Sequence, residues 1–409
     1  MSCSGARDRW RVARLGADAV MASRTAVEGT GVTAESGTSR RAGFGELAHR
    51  EWFLAVSAVT SILFLIYGDT FTSQFANPVW LTIIFVWLFS VVLGSALCVV
   101  RHADHLAERL GEPYGTLILT LTITSIEVMA ITAVMLHGDN NPTLVTHTLF
   151  AVVMIILNGM VGLSLLVGGW RRPDQHHNLQ GANAYLGVIV PLATLSMIMP
   201  NFTRQSDGPG YSIPQQSILA VISVGLYAVF LMLQTGRHRG FFIDDGEEGV
   251  NVQHKTAHEG SLWFPVAFLF AYMALVVFLV EKLAPPIDYF IETLHAPIAL
   301  GGVMMAVLVA TPEAISAVRA SVANHLQRSV NIFLGSVLST IGLTVPAMLV
   351  ISHVTDRPIV LGLEHSDPVL LILTLALSML TFASGRTHLM QGAVHLVLFL
   401  AYFLLIFAK

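Results

Sequence analysis

Ala310-Thr311-Pro312-Glu313-Ala314-Ile315 sits near the middle of an apolar run from Pro297 to about Ser321. That run is long enough to cross a bilayer as a helix. A carboxylate at such depth costs on the order of a few kcal/mol on insertion scales. Pro312 lacks an amide hydrogen and crowds the preceding turn, so the local reading is a helix unwound at Pro312 with freed carbonyl oxygens beside Glu313. Freed carbonyls persist at membrane depth only where they are buried in protein or line a cavity. A carboxylate with unwound carbonyls at mid-membrane is how secondary transporters build cation sites.

Glu313 has one counterpart. Glu127 lies near the middle of another apolar run, from Pro113 to Leu136. No other Asp, Glu, Lys or Arg occupies the centre of an apolar run. The bland alternative is a pair of protonated or hydrogen-bonded packing residues. Ionisable side chains inside membranes are functional by default, and there is one in each half of the chain.

The composition agrees with a membrane protein. It is 54% hydrophobic and 12% charged, with a mean hydropathy of +0.68. Soluble domains carry roughly 25% charged residues. The net charge of −4 gives no reason to expect nucleic acid as a partner. The two cysteines, Cys3 and Cys98, do not make a disulfide framework.

Residues 1–50 are rich in Arg, Ser, Thr, Gly and Ala and read as a disordered cytoplasmic tail. They lack the apolar core of a secretory signal, and Asp8, Asp18, Glu28 and Glu35 argue against a transit peptide. Eleven apolar spans follow, at about 51–67, 79–100, 113–136, 143–168, 182–200, 215–234, 262–281, 297–321, 327–352, 368–384 and 389–408. Trp52, Trp80, Trp170 and Trp263 fall at span ends, where interface aromatics belong.

Of the 22 Lys and Arg residues, the tail holds eight. The connections on its side of the membrane hold Arg101, Arg109, Arg171, Arg172, Arg237, Arg239, Lys255, Arg319, Arg328 and Arg386. Only Arg204, Lys282, Arg357 and Lys409 fall on the other side. The positive-inside rule therefore puts the N-terminus in the cytoplasm and the C-terminus outside. Glu127 and Glu313 are five spans apart, an odd number, so equivalent halves would have opposite topology. The predicted fold class is an all-α polytopic membrane protein with about 11 transmembrane helices: two inverted five-helix repeats plus one N-terminal helix. The predicted organisation is the tail at 1–50, the extra helix at 51–78, a first half at 79–234, an acidic cytoplasmic linker at 235–261 and a second half at 262–409.

The linker carries Asp244, Asp245, Glu247, Glu248 and Glu259 with His254 and His258, and reads as solvated. It lacks the alternating ligands of an EF-hand. His176-His177 reads as a solvated loop pair, and His395 as a packed intramembrane imidazole rather than a proton relay.

In span 3, Thr120, Thr124 and Glu127 share one helical face. The next span in each half adds amide or hydroxyl oxygens, Asn158 in the first and Ser336 with Ser339 in the second. Hard cations take such all-oxygen sets. Asn331 stands nearer the membrane face and reads equally as ligand or as packing amide. The candidate cation- and proton-binding residues are thus Glu127, Glu313, Asn158, Thr124, Ser336 and Ser339. Glu127 and Glu313 are the charged ligands, and Pro312 is the helix-unwinding residue.

Glu112-Pro113-Tyr114-Gly115-Thr116-Leu117-Ile118-Leu119-Thr120, running on to Ile126-Glu127-Val128, resembles the first signature region of bacterial calcium/proton antiporters. Pro312-Glu313-Ala314, Gln327-Arg328-Ser329-Val330-Asn331 and Gly335-Ser336 through Pro346 resemble the second. These belong to the calcium/cation antiporter superfamily, in the branch that also moves sodium and potassium. The resemblance spans residues 50–409. It implies two inverted five-helix halves plus one helix, a bacterial inner-membrane location and ion exchange by alternating access. The family's paired acidic residues match Glu127 and Glu313, and its Asn matches Asn158. Fungal and plant relatives carry Gln where this chain has Ser339, and their acidic helix between the halves is here a short loop.

The expected activity is cation/proton antiport, exporting Ca²⁺ and also Na⁺ or K⁺ against H⁺. The alternatives are a mainly monovalent antiporter, a cation channel and an intramembrane enzyme. His-Glu-x-x-His, Gly-x-Gly-Asp and Gly-x-Ser-x-Gly are all absent, so no catalytic residue is assigned. No cofactor is expected, and the expected partners are membrane lipid and the transported ions. The charge split makes the topology testable. An impermeant reagent applied to intact cells should label a single cysteine at Lys409 and spare one in the 244–259 loop. The reverse pattern would overturn the assigned orientation.

Overall fold

The computed structural model describes residues 51–110, 114–137, 142–172, 174–205, 208–242, 263–364 and 366–407. The tail, the acidic stretch 244–259, Glu112-Pro113 and Lys409 lie outside the described residues. The chain is an all-α integral membrane protein with eleven main helices among the described residues: α1 (Trp52–Thr72), α2 (Pro78–Leu110), α3 (Tyr114–His137), α4 (Leu144–Arg171), α5 (Leu179–Phe202), α6 (Ile213–Thr235), α7 (Trp263–Thr293), α8 (Ile298–Val322), α9 (Leu326–Thr355), α10 (Asp367–Phe382) and α11 (Leu389–Ile406). All but α10 are long and apolar enough to cross a membrane.

Burial ranks the helices. In α4 and α9, 78% and 72% of the most apolar window is buried, against 17% in α1 and α6. So α4 and α9 form the centre, and α1 and α6 turn apolar side chains such as Leu65 and Val221 outward. Without water to satisfy the backbone, such a layout is stable only because each helix closes its own hydrogen bonds.

The packing is reciprocal between halves. The first helices of each half, α2 and α7, pack on each other. Helix α8 packs on α4, and α3 packs on α9. Helix α4 contains a π turn at Ile155–Met160 and α9 one at Thr340–Thr344. These exchanges are those of two five-helix repeats, α2–α6 and α7–α11. Five crossings separate each helix from its counterpart, so the repeats are inverted across the membrane.

Several boundaries differ from the sequence expectation. Helix α7 does not stop at residue 281. Glu281 and Lys282 pair at 2.9 Å on the outer surface, and the helix runs on through Pro285 and Pro286 to a π turn at Tyr289–Thr293. The Pro312 expectation also needs correction: α8 is continuous through it. A proline removes one helical donor, which deprives only the Leu308 carbonyl of its usual partner while the helix continues on both sides. The irregular backbone lies instead in π turns of α4, α5, α7 and α9.

His176-His177 is not a solvated pair either. Gln175–His176 forms a two-residue strand, β1, antiparallel to one labelled here β2 at Arg386–Thr387, which ties the α4–α5 connection to the α10–α11 connection. His177 is buried, its Nε2 3.4 Å from the Phe382 carbonyl oxygen, while His176 stays exposed.

Gly302 marks a close approach of α8 to α4. A Cβ there would lie 2.9 Å from the backbone of His147 and Thr148, where a helix axis rather than a side chain must move. Gly302→Ala should therefore lower stability by about 1–3 kcal/mol, the usual range for overpacking. A thermal scan of detergent-solubilised protein reads this, and an unchanged midpoint would show that the two helices do not pack so closely.

Candidate functional site

The two carboxylates come from the two halves and meet at α9. Glu127 projects from α3 and Glu313 from α8, and both are buried. They lie within electrostatic range of each other. On α9, Ser336, Thr340 and Thr344 recur every four residues and so share a face. The Ser336 hydroxyl donates to Glu313 Oε2. The Thr340 and Thr344 hydroxyls donate to Glu127 Oε2 at 3.1 and 2.8 Å. One helix thus holds both carboxylates, and Thr340 and Thr344 bound the π turn. Such turns occur frequently at functional sites.

Two site atoms have no protein partner among the described residues: Glu127 Oε1 and Thr124 Oγ1, both buried. Buried polar atoms are nearly always satisfied, and unpaired ones point to water, an ion or strain. Here they stand three residues apart on one face of α3. A narrow cavity reaches Glu313 from the side of α2, lined by Ala96, Val100, Ile123, Ile126, Val309 and Pro312. The oxygens on hand are carboxylates and hydroxyls, a hard donor set suited to alkali and alkaline-earth cations.

Glu127, Glu313, Thr124 and Ser336 therefore fall in one region. Ser339 does not bond a carboxylate: its hydroxyl returns to the Ser336 carbonyl at 2.9 Å. It stands three residues from Ser336, off the line of every fourth residue that faces the pair. Asn158 is turned away. Its Nδ2 donates to Thr374 Oγ1 at 2.8 Å, and its Oδ1 lies 3.2 Å from His395 Nδ1. The other imidazole nitrogen is 2.9 Å from Thr381 Oγ1, so His395 is the satisfied packing residue expected from the sequence. Asn331 bonds the Phe242 carbonyl at 2.7 Å and Gln327 at 2.9 Å, which makes it a packing amide.

The sequence reading missed Thr340 and Thr344. A signal was present: Asn158 follows Glu127 by 31 residues, and Thr344 follows Glu313 by the same interval. Thr344, not Ser339, is the positional counterpart of Asn158.

Residues 80–236 and 264–408 match the family described as sodium/calcium exchanger protein. The sodium-potassium/proton antiporter ChaA of Escherichia coli (strain K12) is 36% identical over 364 residues, covering 88% of this chain and 97% of its own. The putative ionic transporter y4hA of Sinorhizobium fredii (strain NBRC 101917 / NGR234) is 39% identical over 316 residues, 77% of this chain and 86% of its own. Among solved structures, the selenium-substituted Ca²⁺/H⁺ antiporter protein YfkE shares the fold, with a TM-score of 0.65 at 17% identity over 87% of this chain and 99% of that one.

Thr344→Val keeps the shape of the side chain and leaves Glu127 one donor short. Losing a buried hydrogen-bond partner costs about 1–3 kcal/mol. The variant should show a lowered thermal midpoint, whereas Ser217→Ala, on the exposed start of α6, should not. Equal midpoints for the two would mean that Thr344 does not hold Glu127.

Proposed function

The chain belongs to the sodium/calcium exchanger protein family, and from that premise we propose that it is a secondary active antiporter, exporting cations against protons by alternating access. The observation that carries this reading is the pair of buried carboxylates, one from each half, held by hydroxyls of a single helix. Burial in apolar surroundings favours the neutral form of a carboxylic acid, and a bound cation favours the ionised form. Proton and cation therefore compete for the same oxygens. The pair empty and doubly ionised would be two like charges at close range in a poorly solvated site, which is costly. The carrier accordingly crosses when loaded with cation or with protons.

Glu127 and Glu313 bind both ions in this scheme. Ser336, Thr340 and Thr344 change role with the load: a hydroxyl that donates to a carboxylate can turn its lone pairs to a cation. Thr124, with a free buried oxygen, joins the shell, and no resident cofactor is required. Two carboxylates match the charge of Ca²⁺, which takes six to eight loosely arranged oxygens, whereas Mg²⁺ demands a tighter octahedral shell. Ca²⁺ is therefore the proposed principal substrate, with Na⁺ and K⁺ also carried. The mainly monovalent alternative draws its support from the name of the 36% identical relative. The excess of Lys and Arg on one side supports a bacterial inner-membrane orientation with the N-terminus and the 235–261 linker in the cytoplasm.

Purified protein in vesicles carrying a pH-sensitive dye tests this. Ca²⁺, and more weakly Na⁺ or K⁺, should drive proton movement, and Mg²⁺ should not. Glu127→Gln and Glu313→Gln should each slow exchange by roughly 30-fold or more, the equivalent of about 2 kcal/mol. Near-normal exchange in either variant makes that glutamate structural. Robust Na⁺/H⁺ exchange that Ca²⁺ neither drives nor inhibits establishes the monovalent alternative. Conductance without proton coupling would identify a channel.

A further inference from the structure

The ribbon of β1 and β2 has two unlike faces. Successive residues of a strand point to opposite sides. Gln175 and Thr387, paired in register, are buried. The next pair, His176 and Arg386, is exposed on the other face. Side chains of directly paired residues stand side by side. The ribbon is held from behind. Gln175 Nε2 donates to the Ser321 carbonyl at 2.9 Å, and the His177 amide donates to the Gly385 carbonyl at 3.1 Å. Gly385 has φ +67°, a left-handed conformation in which glycine carries no steric cost, and there the chain turns from α10 into β2.

Two more guanidinium groups join this face from α4. Arg171 is the last residue of that helix and Arg172 its C-cap, and both are exposed. A Cβ on Gly169 would lie 3.1 Å from the Leu389 amide nitrogen, so the end of α4 rests on the start of α11. Arg172 stands three residues beyond Gly169, and Arg386 three residues before Leu389. The arginines therefore flank one helix contact from its two sides. Across residues 170–178 and 384–390, Asp174 is the one carboxylate against these three arginines. None of the three makes an ion pair with another described residue.

This corner lies where α4 and α11 leave the membrane. Trp170, 79% exposed, sits beside Arg171 in the place of an interfacial aromatic. Below, Met390, Val394 and Val397 form an exposed apolar row down α11, spaced i, i+4 and i+7. Guanidinium groups thus stand at headgroup level and apolar side chains at acyl-chain level. We propose that the corner binds an anionic phospholipid, its phosphate on Arg171, Arg172 and Arg386 and its acyl chains along α11.

The chemistry selects this occupant. The planar fork of arginine matches phosphate oxygens two at a time. Basic pockets between membrane helices bind anionic headgroups in this way. A zwitterionic lipid would bring its own cation to a surface already in positive excess. The ribbon also places Arg386 in advance, so less conformational freedom is lost on binding than from a loose loop. The charge split assigns this face to the cytoplasm, and the lipid would come from that leaflet.

Thermal scans of the full chain, stripped of lipid in a neutral detergent, test the site. Dioleoylphosphatidylglycerol should raise the wild-type midpoint by roughly 2 °C or more, and dioleoylphosphatidylcholine should not. Arg172→Gln with Arg386→Gln should keep the lipid-free midpoint and lose the shift. Arg237→Gln with Arg239→Gln removes two charges at the end of α6 and should keep it. An equal shift with phosphatidylcholine, or with glycerol phosphate alone, overturns the proposal. So does a shift retained by the first double variant, or lost equally by both. If that variant does not fold, Arg172→Gln alone takes its place and should at least halve the shift; an undiminished shift there also overturns the site.

Discussion

A carboxylate in a membrane interior must have partners, and here one helix supplies them to both. Ser336 reaches Glu313, and Thr340 and Thr344 reach Glu127. Each carboxylate belongs to a different half, so this row of hydroxyls links the repeats. It also explains why α9 is central and among the most buried helices. A helix that serves both acids has little surface left for lipid. These hydrogen bonds across helices also fix the register of α9 against α3 and α8.

The π turns follow from the same requirement. Every fourth residue of α9 must keep facing the pair over more than two turns. An ideal α-helix drifts, since four residues overshoot one turn of 3.6. A locally wider turn at Thr340–Thr344 counters that drift where Glu127 needs both threonines. The matching π turn of α4 carries Asn158, which bonds Thr374 of α10 and lies against His395 of α11. The two π turns therefore hold different partners on equivalent helices.

Much of this was legible in the sequence. Two glutamates in apolar runs, an odd number of spans between them and one-sided Lys and Arg are long-range, additive signals. They gave eleven helices and the inverted halves, because length and hydropathy alone set membrane crossings. The carboxylates were legible because nothing else explains their cost. The helix break at Pro312 was not borne out, since one missing donor is a local loss that a helix packed among its neighbours tolerates. Thr340 and Thr344 were overlooked because threonine is unremarkable in membrane helices, where it commonly bonds its own backbone, as Thr194 does here at 2.8 Å. Only the partner across the interface distinguishes such a threonine, and the sequence does not name it directly. The common 31-residue interval was the one trace of it.

That interval also shows how far the halves have diverged. Carried onto α4 with the same offset, Ser336, Thr340 and Thr344 fall on Phe150, Met154 and Asn158. Two hydroxyl positions are thus large and apolar in the first half, and both are buried in the core. The third is an amide with a partner on each side. To bring an oxygen to the carboxylates, Asn158 would have to give up its bond to Thr374 and its contact with His395, each worth about 0.5–1.5 kcal/mol. Its departure would also strip the buried imidazole of a partner, which costs more than the bond itself. In this arrangement the first half contributes a carboxylate and Thr124, and α9 contributes the row of hydroxyls. The fold is a repeat, but the site at its centre is asymmetric, with the hydroxyls that grip the carboxylates drawn from one half alone.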